Sequence, residues 1–291
     1  MNNIKKFRFT VKTSTANQRL DAWLAAKLPI YSRSFLVSQI KAGRVWVGGK
    51  VASPKQTIRL GQIITAAIII PKTEIASEKI ALDIIHQDKD LVVINKPAGL
   101  VMHPAGSHQS GTLANALKAK FSTFYLVHRL DKDTSGVVVV ALNLATKNWL
   151  DKLFQSRRVK KTYWALLVGK ITPQQAYLDF PIKRDSRSGK FAALSGGRSA
   201  RSFYQVKEYI PGFSFVEVRP ETGRTHQIRV HFSALKHPVA GDTMYGTSTR
   251  GLNRQFLHAY QVEFPDRQGK TRTFTTPLPK DLTDFLKYLP R

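Results

Sequence analysis

Apolar residues recur along the first quarter of the chain with two different periods. Leu20, Trp23, Leu24 and Leu28 share one face of a helix, and Pro29 stops it. Phe35, Leu36 and Ile40 mark a second helix, with Ser32 or Ser34 available as its N-cap and Gly43 suited to the position just past its end. Alternation then takes over in RVWVGGKV at 44–51, where the central Gly48-Gly49 predicts a β-hairpin. Beyond residue 80 the pattern changes. LVVI at 91–94 and VVVVAL at 137–142 are short continuous apolar runs, expected of strands buried on both faces. Further strands are expected over 163–168 and 213–218, and helices over 112–121, 146–157, 225–235 and 281–289. Strands with scattered helices, and no regular strand–helix alternation, argue for an α+β fold with a mixed sheet.

Composition narrows the partner. The chain has 291 residues, enough for one large domain or two modest ones, and no cysteine. Disulfide frameworks, thiolate catalysis and Cys-ligated metals are thereby excluded. The longest apolar run, at 63–70, is interrupted by Thr65 and falls far short of the ~20 residues that span a bilayer. Residues 1–10 alternate basic and apolar positions without the apolar stretch of a secretory signal, so a soluble, cytoplasmic protein is expected. Formal net charge is +27. Residues 1–71 carry twelve Lys or Arg against a single acid, Asp21, and are more than twice as charge-dense as the remainder. Such a surplus fits a polyanion, because each neutralised phosphate releases condensed counterions. The polar, proline-led stretch at 71–78 divides the two parts, which sets expected bounds of 15–71 for a small basic module, 72–79 for a linker and 80–291 for the main domain.

Three stretches carry candidate chemistry. HRLDKDTSG at 128–136 precedes the most apolar strand, which would hold its side chains firmly. Asp131 and Asp133 are flanked there by Arg129 and Lys132. A neighbouring cation keeps a carboxylate ionised and able to act as a nucleophile, while a plain turn is the competing reading. ETGRTHQIRVH at 221–231 opens a helix. Arg224, Thr225 and nearby N–H groups would make an anion site there, and Arg229 a guanidinium fixed by Ile228 and Phe232; a surface salt-bridge face is the alternative. His226 and His231 stand five apart without acidic or Cys partners, which rejects a zinc site and leaves them hydrogen bonding or touching phosphate. In KKTYWAL at 160–166, alternation sends Tyr163 and Ala165 to one face and Trp164 to the other. Tyr163 could stack on a base, accept a proton, or fill the core.

The first part, from RLD at 19–21 through YSR at 31–33 to GRV at 43–45 and Gly61, resembles the S4 RNA-binding domain. Its two helices and hairpin would present Arg33, Lys41, Arg44 and Lys50 to RNA. From residue 15 onward nearly the whole chain resembles the pseudouridine synthases of the RluA/RluD type. The resemblance rests on NKPAG at 95–99, VMHP at 101–104, HRLDKDTSG, Tyr163, GRTHQIRVH, His237-Pro238, Gly241-Asp242, LHA at 257–259 and TPLP at 276–279. It implies a mainly antiparallel catalytic sheet and isomerisation of uridine to pseudouridine in RNA, ribosomal or transfer, without metal or cofactor. It further implies Asp131 as the catalytic aspartate, attacking C1′ or first removing the 2′ proton; Arg229 as its ion-pair partner; and Tyr163 packed on the base. Arg129 would fill the stack left by the flipped nucleotide, with His128, Arg224 and His226 also on the RNA. A monomer is expected. The residues FYLV at 124–127 depart from the family's Arg/Gly-type lead-in. A non-enzymatic RNA-binding scaffold is the rival reading, and the intact acid, arginine and tyrosine argue against it.

Overall fold

NIKKFRFT at the start of the chain alternates strictly enough to put Phe7 and Phe9 on one side, and in the computed structural model it forms the strand β1 (Asn3–Thr10). Residues 3–12, 15–70, 75–104 and 109–290 are described. They fall into two units, Met1–Glu74 and Ile75–Arg291. In the first, β1 is followed by α1 (Leu20–Lys27), α2 (Arg33–Lys41), β2 (Val45–Val47), β3 (Lys50–Val51) and β4 (Ile63–Ile70). Ser32 caps α2 by accepting the Phe35 N–H. Gly48 and Gly49, with φ of +57° and +82°, make the hairpin turn between β2 and β3. The sheet order is β1-β4-β2-β3. The expected two helices and hairpin are present, and two strands join them: the basic alternating start and the apolar run at 63–70 pair antiparallel along their whole lengths. Leu20, Trp23, Leu24, Leu36, Ile40 and Ile64 fill the core between helices and sheet.

Residues 72–74 of the expected linker lie outside the described residues, as does residue 71 before it. Later ones are not free: Asn115 Nδ2 donates to the Ala76 carbonyl, and Glu78 accepts the Gly111 N–H. The second unit runs β5 (Asp83–Gln87), β6 (Leu91–Lys96), α3 (Leu113–Lys120), β7 (Tyr125–Leu126), β8 (Ser135–Ala141), α4 (Leu144–Gln155) and β9 (Lys160–Val168). It continues with β10 (Gln175–Asp179), β11 (Ile182–Arg184), β12 (Phe191–Ala193), β13 (Arg201–Ile210), β14 (Phe213–Pro220), α5 (Gln227–Ala234), β15 (Leu257–Pro265), β16 (Thr271–Thr275) and α6 (Lys280–Tyr288). The main sheet has the order β10-β13-β14-β9-β15-β8-β6-β5, with β16 on β15 and β7 on β8.

All its pairings are antiparallel except β8 with β15. The α+β, mainly antiparallel expectation holds. β8 is buried at every position, as its unbroken valines require. α5 lies against the β9–β14 side through Ile228 and Phe232. β15, late in sequence, sits between β9 and β8 and so joins two halves of the sheet. No helix among the described residues is long and apolar enough to cross a membrane.

Candidate active site

The loop before β8 carries Asp131, and four fixtures shape it. Lys96, fully buried at the end of β6, donates from Nζ to the carbonyls of Pro97, Leu100 and Lys132 at 2.8, 2.8 and 2.9 Å. Burial pushes this ammonium down to about 7 against the pull of the Asp133 and Asp131 charges, and three carbonyl acceptors give each of its protons a partner. Arg254 Nη1 donates to the Asp133 carbonyl at 3.0 Å, and the same guanidinium grips Asp281. The Thr134 N–H closes a turn onto the Asp131 carbonyl. At the start of β8, Gly136 has φ +120°, and a Cβ there would lie 2.2 Å from the Ala259 carbonyl oxygen. Only glycine allows β15 so close, and the neighbouring Ser135 hydroxyl bonds His258 Nδ1 at 2.9 Å.

Arg229 comes to this loop from α5. Its Nε and Nη2 donate to Asp242 Oδ2 and Oδ1 at 2.7 and 2.9 Å, a bidentate fork, and Nη1 donates to Asp131 Oδ2 at 3.1 Å. The Arg229 side chain is 7% exposed, that of Asp242 0% and that of Asp131 16%. Asp242 is fixed in turn by the N–H groups of Met244 and Tyr245. Burial opposes the charge of Arg229, but the hydrogen bonds and charges of Asp242 and Asp131 outweigh it and raise its pKa. The Tyr245 ring lies 5.0 Å from the guanidinium. The result is one cation shared by two carboxylates, one buried and one open to a cavity.

That cavity, about 440 Å³, is lined by Asp131, Arg229, Tyr163, His128, Arg129, Arg224 and His226 together. Its volume is in the range of small-molecule sites. Burial, and then the charge of Asp131, push the Tyr163 phenol well above its usual range, so it faces the cavity protonated. His226 stands at φ +55° just before α5, its Nδ1 2.7 Å from the Tyr245 hydroxyl and its Nε2 3.8 Å from Asp131. The same hydroxyl also accepts the Phe191 N–H, which ties the His226 ring to β12. Burial keeps the ring neutral. Arg129 is exposed at the mouth.

Several expectations need correction or narrowing. His231 takes the hydrogen-bonding one of its two expected roles: it is fully buried and bonds the Phe180 carbonyl through Nε2. The anion site at the start of α5 is partly occupied from within: the Arg224 N–H is taken by Gln227 Oε1, and Arg224 Nε by the Ser199 carbonyl. His128 Nε2 accepts the Val139 N–H, and burial lowers its pKa to about 3, so it lines the wall as a neutral ring. The four basic residues expected on RNA in the first unit, Arg33, Lys41, Arg44 and Lys50, are at least partly exposed. Two of them are anchored: Arg33 Nη2 donates to Asp21, which also holds Arg19, and Arg44 Nη1 donates to Gln39. Sequence reasoning gave no role to Asp242, Tyr245, Lys96 or Lys161. For Lys161 a signal was there, since alternation puts it on the face of Tyr163; for Asp242 only the Gly-Asp pair within the resemblance hinted.

Comparison with known proteins agrees with this geometry. Residues 90–234 match the family model described as RNA pseudouridylate synthase, and residues 18–64 match the S4 domain. A protein of Neisseria meningitidis named ribosomal large subunit pseudouridine synthase D is 40% identical over 96% of this chain and 81% of its own. A Xanthomonas campestris protein of the same name is 38% identical over 96% and 91%. A Chloroflexus aurantiacus protein named an uncharacterized RNA pseudouridine synthase is 41% identical over 95% and 91%. Among solved structures, human RNA pseudouridylate synthase domain containing 1 superposes with a TM-score of 0.59 at 32% identity, covering 70% of this chain and 86% of that one. Fold and site thus define an enzyme that rearranges a base within RNA. The chain belongs to the RNA pseudouridine synthase family, in the form that carries an S4 domain.

Proposed function

We propose that the chain isomerises uridines of large-subunit ribosomal RNA, with Asp131 as the carboxylate acting at the ribose. The observation that carries the reading is the Asp131–Arg229–Asp242 array at the wall of a nucleotide-sized cavity. The names of the Neisseria and Xanthomonas relatives support the choice of ribosomal RNA, and with it the reading of a cytoplasmic reaction. Breaking the C1′–N1 bond needs an ionised carboxylate beside the anomeric carbon, as in glycoside chemistry. Arg229 supplies the fixed cation that keeps Asp131 aimed, and Asp242 fixes Arg229. Tyr163 offers its ring to the base as a neutral phenol.

A uridine within a helix is out of reach, so the nucleotide leaves the stack at a cost of a few kcal/mol. Arg129 beside Asp131 fills the vacated place, because a guanidinium stacks on bases and meets phosphate together. His128, Arg224 and His226 line the path of the flipped nucleotide. Arg33, Lys41, Arg44 and Lys50 of the first unit hold phosphates, which adds affinity with little sequence information. The protein acts as a monomer, and sedimentation of the purified chain checks that point.

The test is release of tritium from large-subunit ribosomal RNA labelled at C5 of uridine. The native protein should release it, and Asp131→Asn should not. Undiminished release by that variant removes Asp131 from its role, and an RNA map of pseudouridines with and without the gene identifies the positions served.

A further inference from the structure

Lys161 is a cation of the cavity wall that the array above does not use. It precedes Tyr163 by two residues on β9, so the two side chains leave the sheet on the same side, and both line the cavity. Its Nζ lies 3.5 Å from the Thr222 carbonyl, and a Cβ on Gly223 would come within 3.9 Å of it. Its neighbour on β9, Lys160, is ion-paired with Glu263. No carboxylate among the described residues lies within 4.0 Å of Lys161. The nearby His128 ring is neutral and offers no counter-charge. Burial alone draws the Lys161 ammonium down to about 8. A recessed cation with no counter-charge is costly, and becomes favourable when a ligand brings the negative charge in.

Two kinds of negative charge arrive with the RNA. Phosphates stay with the strand, outside the cavity, where Arg129 and Arg157 are exposed. Arg224 belongs to the same rim, close enough to Arg198 and Arg157 that they lower its pKa after burial does. Lys161 stands behind that rim beside Tyr163, within reach of what enters the cavity. What enters is the base.

We propose that Lys161 is a catalytic residue that donates hydrogen bonds to a carbonyl oxygen of the flipped uracil and counters the negative charge the base carries while detached from the ribose. The assignment rests on the function proposed above. When C1′–N1 breaks, its electron pair leaves with the base and spreads over N1 and the ring carbonyls. Lys161 keeps its protons throughout. C5 then supplies a pair to C1′ and gives up its proton, and N1 takes one up, so the exchange balances. A positioned donor where charge develops acts most strongly in a site closed to water.

The experiment is Lys161→Met, assayed by single-turnover tritium release from C5-labelled large-subunit ribosomal RNA, together with RNA affinity across salt and thermal melting. The rate should fall by ~10²–10³, the loss seen when one such donor is removed elsewhere. RNA affinity and its salt dependence should not change, and the melting temperature should hold or rise, because an unpaired buried charge has gone. A rate within about threefold of the native one, far under the loss expected of such a donor, overturns the assignment. So does a salt slope lower by ~0.7–0.9, with the rate restored at saturating RNA, which marks a phosphate contact. A lower melting temperature assigns Lys161 to the scaffold instead. A native protein that releases no tritium sinks the proposed function and this assignment with it, whereas an active native protein and an equally active variant sink this assignment alone.

Discussion

Arg229→Met tests the array most directly. The substitution keeps much of the side-chain volume and removes the cation from between Asp131 and Asp242. Three charge-assisted contacts vanish, at 2.7, 2.9 and 3.1 Å. Asp242, with its side chain 0% exposed, keeps only the N–H groups of Met244 and Tyr245. Leaving a buried charge uncompensated costs about 3–5 kcal/mol. At roughly 2–4 °C per kcal/mol for a domain of this size, the melting temperature should drop by about 6–20 °C. Arg229→Lys keeps the charge but has a single nitrogen, which cannot hold the Asp242 fork and reach Asp131 together. It should lose about 2 kcal/mol, and its single-turnover rate should fall by ~10²–10³. Thermal melting and tritium release read the two effects separately. A methionine variant that melts within about 2 °C of the native protein, less than one kcal/mol, refutes the idea that the array is a structural unit. A lysine variant with native turnover refutes the claim that the fork aims Asp131.

Other positions yield independent checks. Gly136→Ala forces a Cβ against the Ala259 backbone at a φ that L-residues avoid, and should cost more than about 3 kcal/mol in a denaturant titration, among the largest single-residue effects. Asp21 is held down to about 2, first by its hydrogen bond to Arg19 and against the penalty of burial, with Arg33 adding to the effect. Its folded pKa lies below the unfolded one, so its contribution is full above pH ~4 and is lost as pH falls toward 2. Solvent screening of the half-exposed arginines limits it to about 1–2 kcal/mol, and Asp21→Asn should flatten that part of the acid titration of the S4 unit. Lys41→Gln and Lys50→Gln should each lower the salt slope of RNA binding by ~0.7–0.9 and leave turnover at saturating RNA intact; an unchanged slope removes these residues from the interface.

Local signals were legible wherever the physics is local. A serine cap at 32 or 34, Gly48-Gly49 as a turn and the valines of β8 all read correctly because each depends on residues a few positions away, and the structure selects Ser32 as the cap. Strands β1 and β4 were not assigned. NIKKFRFT looks like a basic tail until its partner, the run at 63–70, is known. The same holds at the site. Asp131, Tyr163 and Arg229 stood out through the family resemblance, whereas Asp242 became visible only when the turn after α5 brought its carboxylate back to Arg229. His226 and His231 both hydrogen-bond, as one of their two expected roles had it, but the sequence left open that His226 has a left-handed backbone outside the helix while His231 faces the core.

The place of β15 in the sheet bears on how the enzyme comes into being. Asp131 belongs to the half built from β5, β6 and β8, while Tyr163 and Arg229 belong to the half containing β9 and β14. β15 is the seam between them, and it follows in sequence every residue assigned to catalysis. A chain that stops short of Leu257 already contains every residue assigned to catalysis, yet it lacks the strand that joins the two halves of sheet carrying them. The pairing of β15 with β8 on one side and β9 on the other therefore completes the sheet under the site.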